Sequence, residues 1–430
     1  MTGTRYLEHD IFPTKTITTE EIAHAMNRDA LRILQESPPD AQRKHSDVYI
    51  GAAGLALLFL KIYEKDPGYM LGSRTALSVA DDYVTAALKI VHRRSNESVA
   101  YPEFPQPMTL TGHILDQCGF LHTPVGTHAV AAVVNLHMGN DEAAADQLRH
   151  VVQYGKAVHS HHTPSECMVG RAGYLYALKF LIHHLPDPMI QENLPIETTV
   201  DATLDAIIED GRRTAAELKL TNTPLAWVFH DSLYLGAAHG CIGILGTLLA
   251  TFPDKVKKYE LEIRQALDWV LTHRLPDGNI STRAGRHGTT EGSSLVHWCH
   301  GAPGASLVAC KAYEVFKDVK YLKIAQEMAE ITWKYGLLRK GPGLCHGISG
   351  NAYVFLTLSR MSEDDSQFQR ALRFAQVCTE WEELTKTGKL QVPDKPWSLF
   401  EGLAGSVWLL TELAYWDPSL FRGFPCFSDL

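Results

Sequence analysis

The sequence predicts an all-α protein whose helical hairpins close into a ring, an α/α toroid of about seven inner and seven outer helices. Three observations support this fold. A Gly-x-x-Gly step followed by an apolar run recurs along the chain, amphipathic stretches separate the copies, and strand-like alternation bounded by hairpin turns is scarce. Apolar helices belong inside and amphipathic ones outside, because only the latter offer a face to water. An open solenoid is the alternative arrangement.

The glycine step marks the expected start of each inner helix. Neighbouring copies lie roughly 45 to 75 residues apart, at the long end of the range for repeat architectures. A seventh, degraded copy spans Gly119–Gly126. The six clear copies are Gly51–Gly54, Gly170–Gly173, Gly240–Gly243, Gly301–Gly304, Gly347–Gly350 and Gly402–Gly405.

The stretches between the copies have apolar residues at helical spacing, most plainly in Arg74–Arg93, Glu260–Leu275 and Lys323–Leu338. Each is expected to be an outer helix. The inner segment Tyr234–Phe252 is long enough to span a membrane. Its four glycines, its central His239 and the absence of flanking basic anchors favour a buried core helix instead.

Because the repeat runs through the whole chain, we expect a single domain over residues 1–430. Residues 1–45 would hold an N-terminal segment and the first outer helix. The proline-rich Tyr101–Pro107 and the adjoining Met108–Asp116 indicate a longer loop within residues 95–125.

Composition narrows the function classes. The net charge of −9 shows none of the basic excess that is typical of proteins binding nucleic acid or an anionic membrane. Neither a signal peptide nor a myristoylation motif is read at the N-terminus, and we expect no transmembrane span, so that any membrane contact would be peripheral. The eight cysteines are scattered, and two of them stand in Cys-His pairs. That pattern fits a reducing compartment with a metal site better than a disulfide framework, and predicts a cytoplasmic protein.

The two Cys-His pairs are the most informative residues of the chain. Cys299-His300 and Cys345-His346 each stand directly before a glycine step. Two cysteines and an adjacent histidine, delivered by two copies of one motif, suggest zinc with three protein ligands and an open fourth position for chemistry.

Polar residues recur at one level of the predicted ring. In the last four copies the residue before the first glycine is His239, His300, His346 or Glu401. Each could singly be a satisfied buried side chain. Four coincident copies favour a shared pocket at the ends of the inner helices.

Several long strings resemble the eukaryotic lanthionine synthetase C-like family, relatives of bacterial lanthionine cyclases. They are Tyr-Leu-Gly-Ala-Ala-His-Gly at 234–240, Leu-Val-His-Trp-Cys-His-Gly-Ala-Pro-Gly at 295–304, Gly-Leu-Cys-His-Gly at 343–347 and Ser-Leu-Phe-Glu-Gly at 398–402. The resemblance implies seven inner and seven outer helices. It also implies zinc held by Cys299, Cys345 and His346.

The resemblance further implies an activity. Zinc presents a bound thiol as the nucleophilic thiolate. The eukaryotic members look like enzymes that add glutathione to dehydroalanine or dehydrobutyrine, left in proteins or peptides after β-elimination of phosphoserine or phosphothreonine. The resulting enolate needs a proton from a positioned acid. His239 is the first candidate, and His300 and Tyr174 are the others. The alternative for His239 is a buried histidine bonded to the backbone.

Glutathione is an anion, so cationic partners are expected outside the metal ligands. The resemblance assigns this role to Arg5 and Lys340. A terminus without a role is the alternative for Arg5, and a helix-end charge is the alternative for Lys340. Gln391 stands where some relatives carry a basic residue, and Arg171 is a match whose role could equally be structural.

Three functions follow as hypotheses. The first is a zinc-dependent thiol transferase with glutathione as co-substrate. The second is a non-catalytic sensor or scaffold that binds zinc and glutathione. The third is a toroid glycosidase or prenyltransferase-like enzyme, which the residues disfavour because a glycosidase needs two carboxylates and the pocket level offers only Glu401 as a plain acid.

Overall fold

The computed structural model describes residues 5–11, 16–96, 117–285, 288–362 and 365–430. Most of the expected loop at 95–125, including Tyr101–Pro107 and Met108–Asp116, lies outside these ranges. The chain is described again from Gln117 and enters a helix at Pro124.

Seven apolar helices form the inner layer, and their buried residues come from all sides of each helix rather than from one stripe. They are α2 (Ala52–Lys65), α4 (Pro124–His137), α6 (Arg171–His184), α9 (Cys241–Thr251), α12 (Ala302–Phe316), α14 (Ile348–Met361) and α17 (Leu403–Ala414).

Seven amphipathic helices form the outer layer, each presenting an apolar face to an inner helix. They are α1 (Thr19–Glu36), α3 (Ala76–Asn96), α5 (Asp141–Tyr154), α8 (Ile196–Glu217), α11 (Glu260–Leu271), α13 (Val319–Tyr335) and α15 (Ser366–Thr379). The first of these begins with a capping box in which Thr18 and Glu21 satisfy each other's backbone N–H groups.

Short elements fill the connections. The helices are α7 (Asp187–Asn193), α10 (Pro253–Val256) and α16 (Trp381–Lys386), with 3-10 turns at His9–Ile11, Pro39–Ala41, Gly155–His159 and Lys257–Tyr259. There are two small antiparallel sheets. One pairs β1 (Met70–Leu71) with β2 (Arg74–Thr75). In the other, β4 (Ser281–Ala284) lies between β3 (Leu233–Tyr234) and β5 (Thr290–Ser294).

The inner helices close into a ring. Each packs against the next in chain order, and α17 packs against α2. The outer helix that covers α17 is α1, from the opposite end of the chain. The predicted α/α toroid is therefore confirmed, and the open solenoid is wrong because the first and last hairpins are in contact.

The second glycine of each step is required by a close approach of backbone. A Cβ placed there would lie between 1.7 and 2.5 Å from the carbonyl oxygen six residues earlier, in all seven copies. The preceding loop thus folds back onto the first turn of the inner helix. In the second copy this glycine is Gly126, and Thr123 takes the place of the first glycine as N-cap. The degraded copy is thus aligned through Gly126, not Gly119.

The core helix predicted within Tyr234–Phe252 is confirmed over Cys241–Thr251, where every residue is buried, whereas Tyr234 belongs to β3 and residues 235–240 form the loop before the helix. Among the described residues, no helix combines the length and the apolar character needed to cross a bilayer.

Candidate metal centre

The loops that precede the inner helices meet at one end of the ring, and two neighbouring loops bring together three metal-binding side chains. The donor atoms of Cys299, Cys345 and His346 all lie within 4.8 Å of one another. Backbone hydrogen bonds hold the loops side by side: Cys299 N–H donates to the Cys345 carbonyl at 3.3 Å, and Cys345 N–H donates to the Phe400 carbonyl at 2.8 Å. These are the three residues that the sequence analysis assigned to zinc.

The cluster lies largely in the interior, since Cys299 and Cys345 are buried and His346 is half-buried. Burial, and after it the neighbouring Cys299 thiol, raise the pKa of the Cys345 thiol well above its usual range. Burial and the two thiols likewise raise the pKa of Tyr49, whose hydroxyl bonds Cys345. Desolvation alone would lower the pKa of His346, but Cys345 raises it above its ordinary value. Such a set of buried donors favours a bound cation.

His297 lies beside the cluster but was not singled out from the sequence. Its Nδ1 is 3.9 Å from the Cys299 sulfur, and its ring centroid is 6.0 Å from that of His346. Burial lowers the pKa of His297 to about 3, so the ring is neutral at physiological pH. The signal was present, since His297 belongs to the same motif as Cys299, but it does not precede a glycine.

His239 forms a pair with a buried carboxylate. Its Nδ1 is 2.8 Å from Oε2 of Glu166, which is 2% exposed and also accepts the backbone N–H groups of Met168 and Val169. The imidazole stacks on Phe229 with ring centroids 4.8 Å apart. Because Nδ1 is committed to Glu166, the tautomer is set and Nε2 is left to exchange protons. A plain backbone-bonded histidine, the alternative for His239, is not what the structure contains.

His300 lies next to Cys299 and has a different environment. Its Nδ1 is buried without a hydrogen-bond partner among the described residues. Burial lowers the pKa of His300 to about 4. The ring is thus neutral at physiological pH, and no described carboxylate bonds it, whereas Glu166 bonds His239.

Arg171, within the Gly170–Gly173 step, and Tyr174, directly after it, have structural contacts. The Tyr174 hydroxyl is fully buried and donates to the Val151 carbonyl of the outer helix α5. Burial raises the pKa of this phenol well above its usual range. The Arg171 guanidinium donates to the carbonyls of Val158, Ser160 and Thr163, so it pins the preceding loop. The position of Tyr174 therefore gives no support to an acid role, and the contacts of Arg171 favour its structural alternative.

A cavity of about 720 Å³ opens beside the metal cluster and has a cationic wall. His297, which lies 3.9 Å from the Cys299 sulfur, is one of its lining residues. Arg5, Lys340 and Gln391, the three positions considered for glutathione, line the same cavity. The remaining lining residues are Tyr6, Asp277, Ser294, Leu295, Val296, Tyr335, Leu338 and Arg339.

The N-terminal segment carries Arg5 into this cavity. Tyr6 forms an antiparallel bridge with Leu338, and Arg339 N–H donates to the Arg5 carbonyl at 3.0 Å. These backbone bonds hold the segment beside the cavity, whereas the alternative for Arg5 was a terminus without a role. Lys340 lies in the loop after α13, which ends at Tyr335, so its predicted place at a helix end is wrong.

The shared level at the helix ends holds one polar residue more than the four that the sequence analysis found. Aligning the second copy on Gly126 adds His122, whose Nδ1 is 3.8 Å from Oδ1 of Asp47 and whose ring lies 4.5 Å from that of Tyr49. The sequence analysis did not find it, because the degraded copy spans Gly119–Gly126 and its register was not fixed. Around the ring the seven residues at this level are Ile50, His122, Val169, His239, His300, His346 and Glu401.

The family model described as lanthionine synthetase C-like protein matches residues 43–427. The chain belongs to this family. Among curated relatives, glutathione S-transferase LANCL1 of Danio rerio is 32% identical over 433 residues, covering 97% of this chain and 95% of that protein. LanC-like protein GCL1 of Arabidopsis thaliana is 34% identical over 264 residues, covering 60% of this chain and 57% of that protein.

The family fold also agrees with a solved structure. Nisin cyclase superposes with a TM-score of 0.62 at 14% identity, covering 93% of this chain and 97% of that chain. At this identity the likeness supports the lanthionine synthetase C-like toroid and says nothing about the substrate.

Proposed function

We propose that this protein is a zinc-dependent thiol transferase that adds glutathione to dehydroalanine or dehydrobutyrine residues of proteins or peptides. The observation that carries the proposal is the joining of three features at one end of the ring: a two-cysteine, one-histidine cluster, a cationic cavity beside it, and a histidine–carboxylate pair. The name of the Danio rerio relative, a glutathione S-transferase, supports the choice of thiol.

The residues present fit a zinc ion. Two thiol sulfurs and one imidazole nitrogen within 4.8 Å of one another match the ligand types and spacing of a tetrahedral site that keeps one position open. When bound, zinc would favour the thiolate form of a thiol that enters the open position. Cys299, Cys345 and His346 would hold the ion, and Tyr49 and His297 would shield it from bulk water.

The chain's own residues supply the remaining steps. Arg5 and Lys340 attract the carboxylates of glutathione, with the thiol directed toward His297. Addition of the sulfur to the β-carbon places negative charge on the dehydroamino acid, and Cα then takes a proton. His239 holds that proton on Nε2, because Nδ1 donates to Glu166 and the carboxylate stabilises the charged ring. The product is the sum of the two reactants, with no loss of water.

The experiment combines metal analysis with an activity assay. We expect the purified protein to carry about one zinc and to add one glutathione to a dehydroalanine peptide, as measured by mass spectrometry. Cys299→Ala, Cys345→Ala and His346→Ala should each lose both properties. The matched control is Cys310→Ala, which removes a buried thiol from the helix that follows Cys299.

The same assay separates the alternative, a non-catalytic zinc- and glutathione-binding sensor or scaffold. A protein that retains zinc and binds glutathione, but leaves the peptide unmodified, would contradict the transferase and favour the sensor. If two of the three ligand variants kept the zinc content of the parental protein, the assignment of the metal ligands would be contradicted.

A further inference from the structure

One acidic residue lines the cationic cavity and has no role in the function proposed above. Among the described lining residues Asp277 is the only carboxylate, whereas Arg5, Arg339 and Lys340 are cationic. Arg339 is occupied, since its guanidinium donates to the backbone carbonyls of Gly388 and Lys389. Lys340 forms no ion pair with a described residue, so it is available to a ligand.

Asp277 and Arg5 are held side by side by the same residue. Asp277 Oδ2 accepts the Ser294 hydroxyl at 2.6 Å, and Arg5 Nη1 donates to the Ser294 carbonyl at 3.4 Å. The other Asp277 oxygen accepts the N–H of Asn279 at 3.0 Å. A carboxylate has about four lone-pair sites, so two of them remain for a ligand.

This arrangement matches one end of glutathione. The γ-glutamyl end carries an α-ammonium and an α-carboxylate on the same carbon, and the glycyl end carries only a carboxylate. A neighbouring anion and cation complement the zwitterionic end, and a separate cation complements the other. The thiol between the two ends would then face His297, the lining residue beside Cys299.

We propose that Asp277 is the specificity-determining residue that binds the α-ammonium of the γ-glutamyl group, beside the α-carboxylate bound by Arg5, with Lys340 on the glycyl carboxylate. This inference rests on the proposed function, because it assumes glutathione as the thiol. It implies selection of thiols that bear a free α-amino acid group over thiols with the same two carboxylates but no ammonium.

The probe is desamino-glutathione, the glutaryl analogue, which keeps the thiol and both carboxylates but lacks the ammonium. We expect the purified protein to bind glutathione roughly five- to twentyfold more tightly than the analogue by isothermal titration calorimetry, because a charge-assisted hydrogen bond is lost. In Asp277→Asn, which keeps an oxygen acceptor for Ser294, the ratio should fall to about one.

Two control variants separate recognition from structure. Ser294→Ala removes the hydroxyl that bonds Asp277 and should retain the preference, since the carboxylate stays. Lys340→Gln should weaken the binding of both thiols by the same factor, because both have the glycyl carboxylate. The inference would be overturned if Asp277→Asn kept the parental ratio of the affinities for glutathione and the analogue. It would also be overturned if the parental protein bound both thiols equally.

Binding and turnover keep the two proposals apart. Discrimination between the thiols without addition to a dehydroalanine peptide would uphold Asp277 recognition and contradict the transferase. Addition without discrimination would uphold the transferase and overturn the role of Asp277. Failure of the parental protein to bind either thiol at millimolar concentration would overturn both.

Discussion

At the residue scale, the pairing of His239 with Glu166 allows the proposed proton transfer to be tested apart from the proposed metal binding. His239 is 31% exposed, so its ring reaches the open end of the toroid, whereas Glu166 is buried beneath it. We expect His239→Asn to retain zinc and glutathione binding but to slow addition to a dehydroalanine peptide by roughly two to four decades, because a positioned acid is lost. The measurement is single-turnover addition followed by mass spectrometry.

The control for this prediction is His300→Asn, which alters the neighbouring imidazole that has no orienting carboxylate. If His239→Asn added glutathione at the parental rate and His300→Asn added it slowly, the proton donor would be His300 and not His239.

How much of the site was predictable depended on whether residues share a motif. Cys299, Cys345 and His346 stand in two copies of one string, so their convergence followed from the repeat. Glu166 lies 73 residues from His239 and precedes the glycine step by four positions, with no flanking pattern. Only the ring geometry brings it to His239.

At the element scale, the glycine steps predicted the starts of the inner helices correctly, because a Cβ at the second glycine would strike backbone. In the sixth copy the clash is severe, since a Cβ on Gly350 would lie 1.7 Å from the carbonyl oxygen of Leu344, the residue before Cys345. We expect Gly350→Ala to displace that loop, to lower stability by about 1–3 kcal/mol and to weaken zinc binding. Denaturant unfolding and a zinc competition assay measure the two effects.

The matched control is Gly68→Ala in an exposed turn, where the nearest atom to the added Cβ is a side-chain oxygen at 3.4 Å. Stability and zinc affinity should stay near the parental values there. A Gly350→Ala protein as stable and as metal-rich as Gly68→Ala would contradict the account of the glycine step.

Helix α4 also contains a pH-sensitive contact away from the candidate site. His128 is 3% exposed, and its Nδ1 lies 2.7 Å from Oε1 of Gln147 on α5. Burial lowers the pKa of His128 to about 4, below the usual value of 6.5. The unfolded chain therefore takes up a proton as the pH falls below 6.5, but the folded chain does not until about 4. The titratable neighbours of the ring are His92, Asp146 and His150.

Stability should accordingly fall between pH 6.5 and pH 4, with a contribution from His128 of about 3 kcal/mol. His128→Gln should flatten this part of the pH profile in urea unfolding. His24→Gln, at an exposed position on α1, should leave the profile unchanged. Equal slopes in the parental protein and His128→Gln would contradict the assignment.

At the scale of the whole molecule, the repeat predicted the toroid but not how the ring closes. Counting glycine steps gave seven hairpins, and apolar runs identified the inner layer. The sequence carried no sign that α1 covers α17, because that pairing joins segments nearly 400 residues apart whose contact depends on the ring's curvature. The N-terminal bridge that brings Arg5 to the cavity was hidden for the same reason.

Ring closure and metal binding make separate contributions to stability. The ring closes through α17, α2 and α1, whereas the metal ligands come from the loops before α12 and α14. Zinc would therefore act as a crosslink between two adjacent hairpins. Removing it should loosen those loops and leave the closure intact, since the closing contacts are made by helices that carry none of the ligands.

We expect chelation to lower the melting temperature by about 5–10 °C, because a ligand that binds only the folded state stabilises it by mass action. Hydrogen exchange should rise in residues 295–304 and 341–350. Residues 164–173, the equivalent loop of the third copy, are the internal control because they offer the ion no ligand and none of their described backbone bonds reaches either metal-binding loop. Exchange that rises equally in all three loops would mean that the metal holds the whole ring together, and exchange that rises in none would mean that the cluster binds no structural ion.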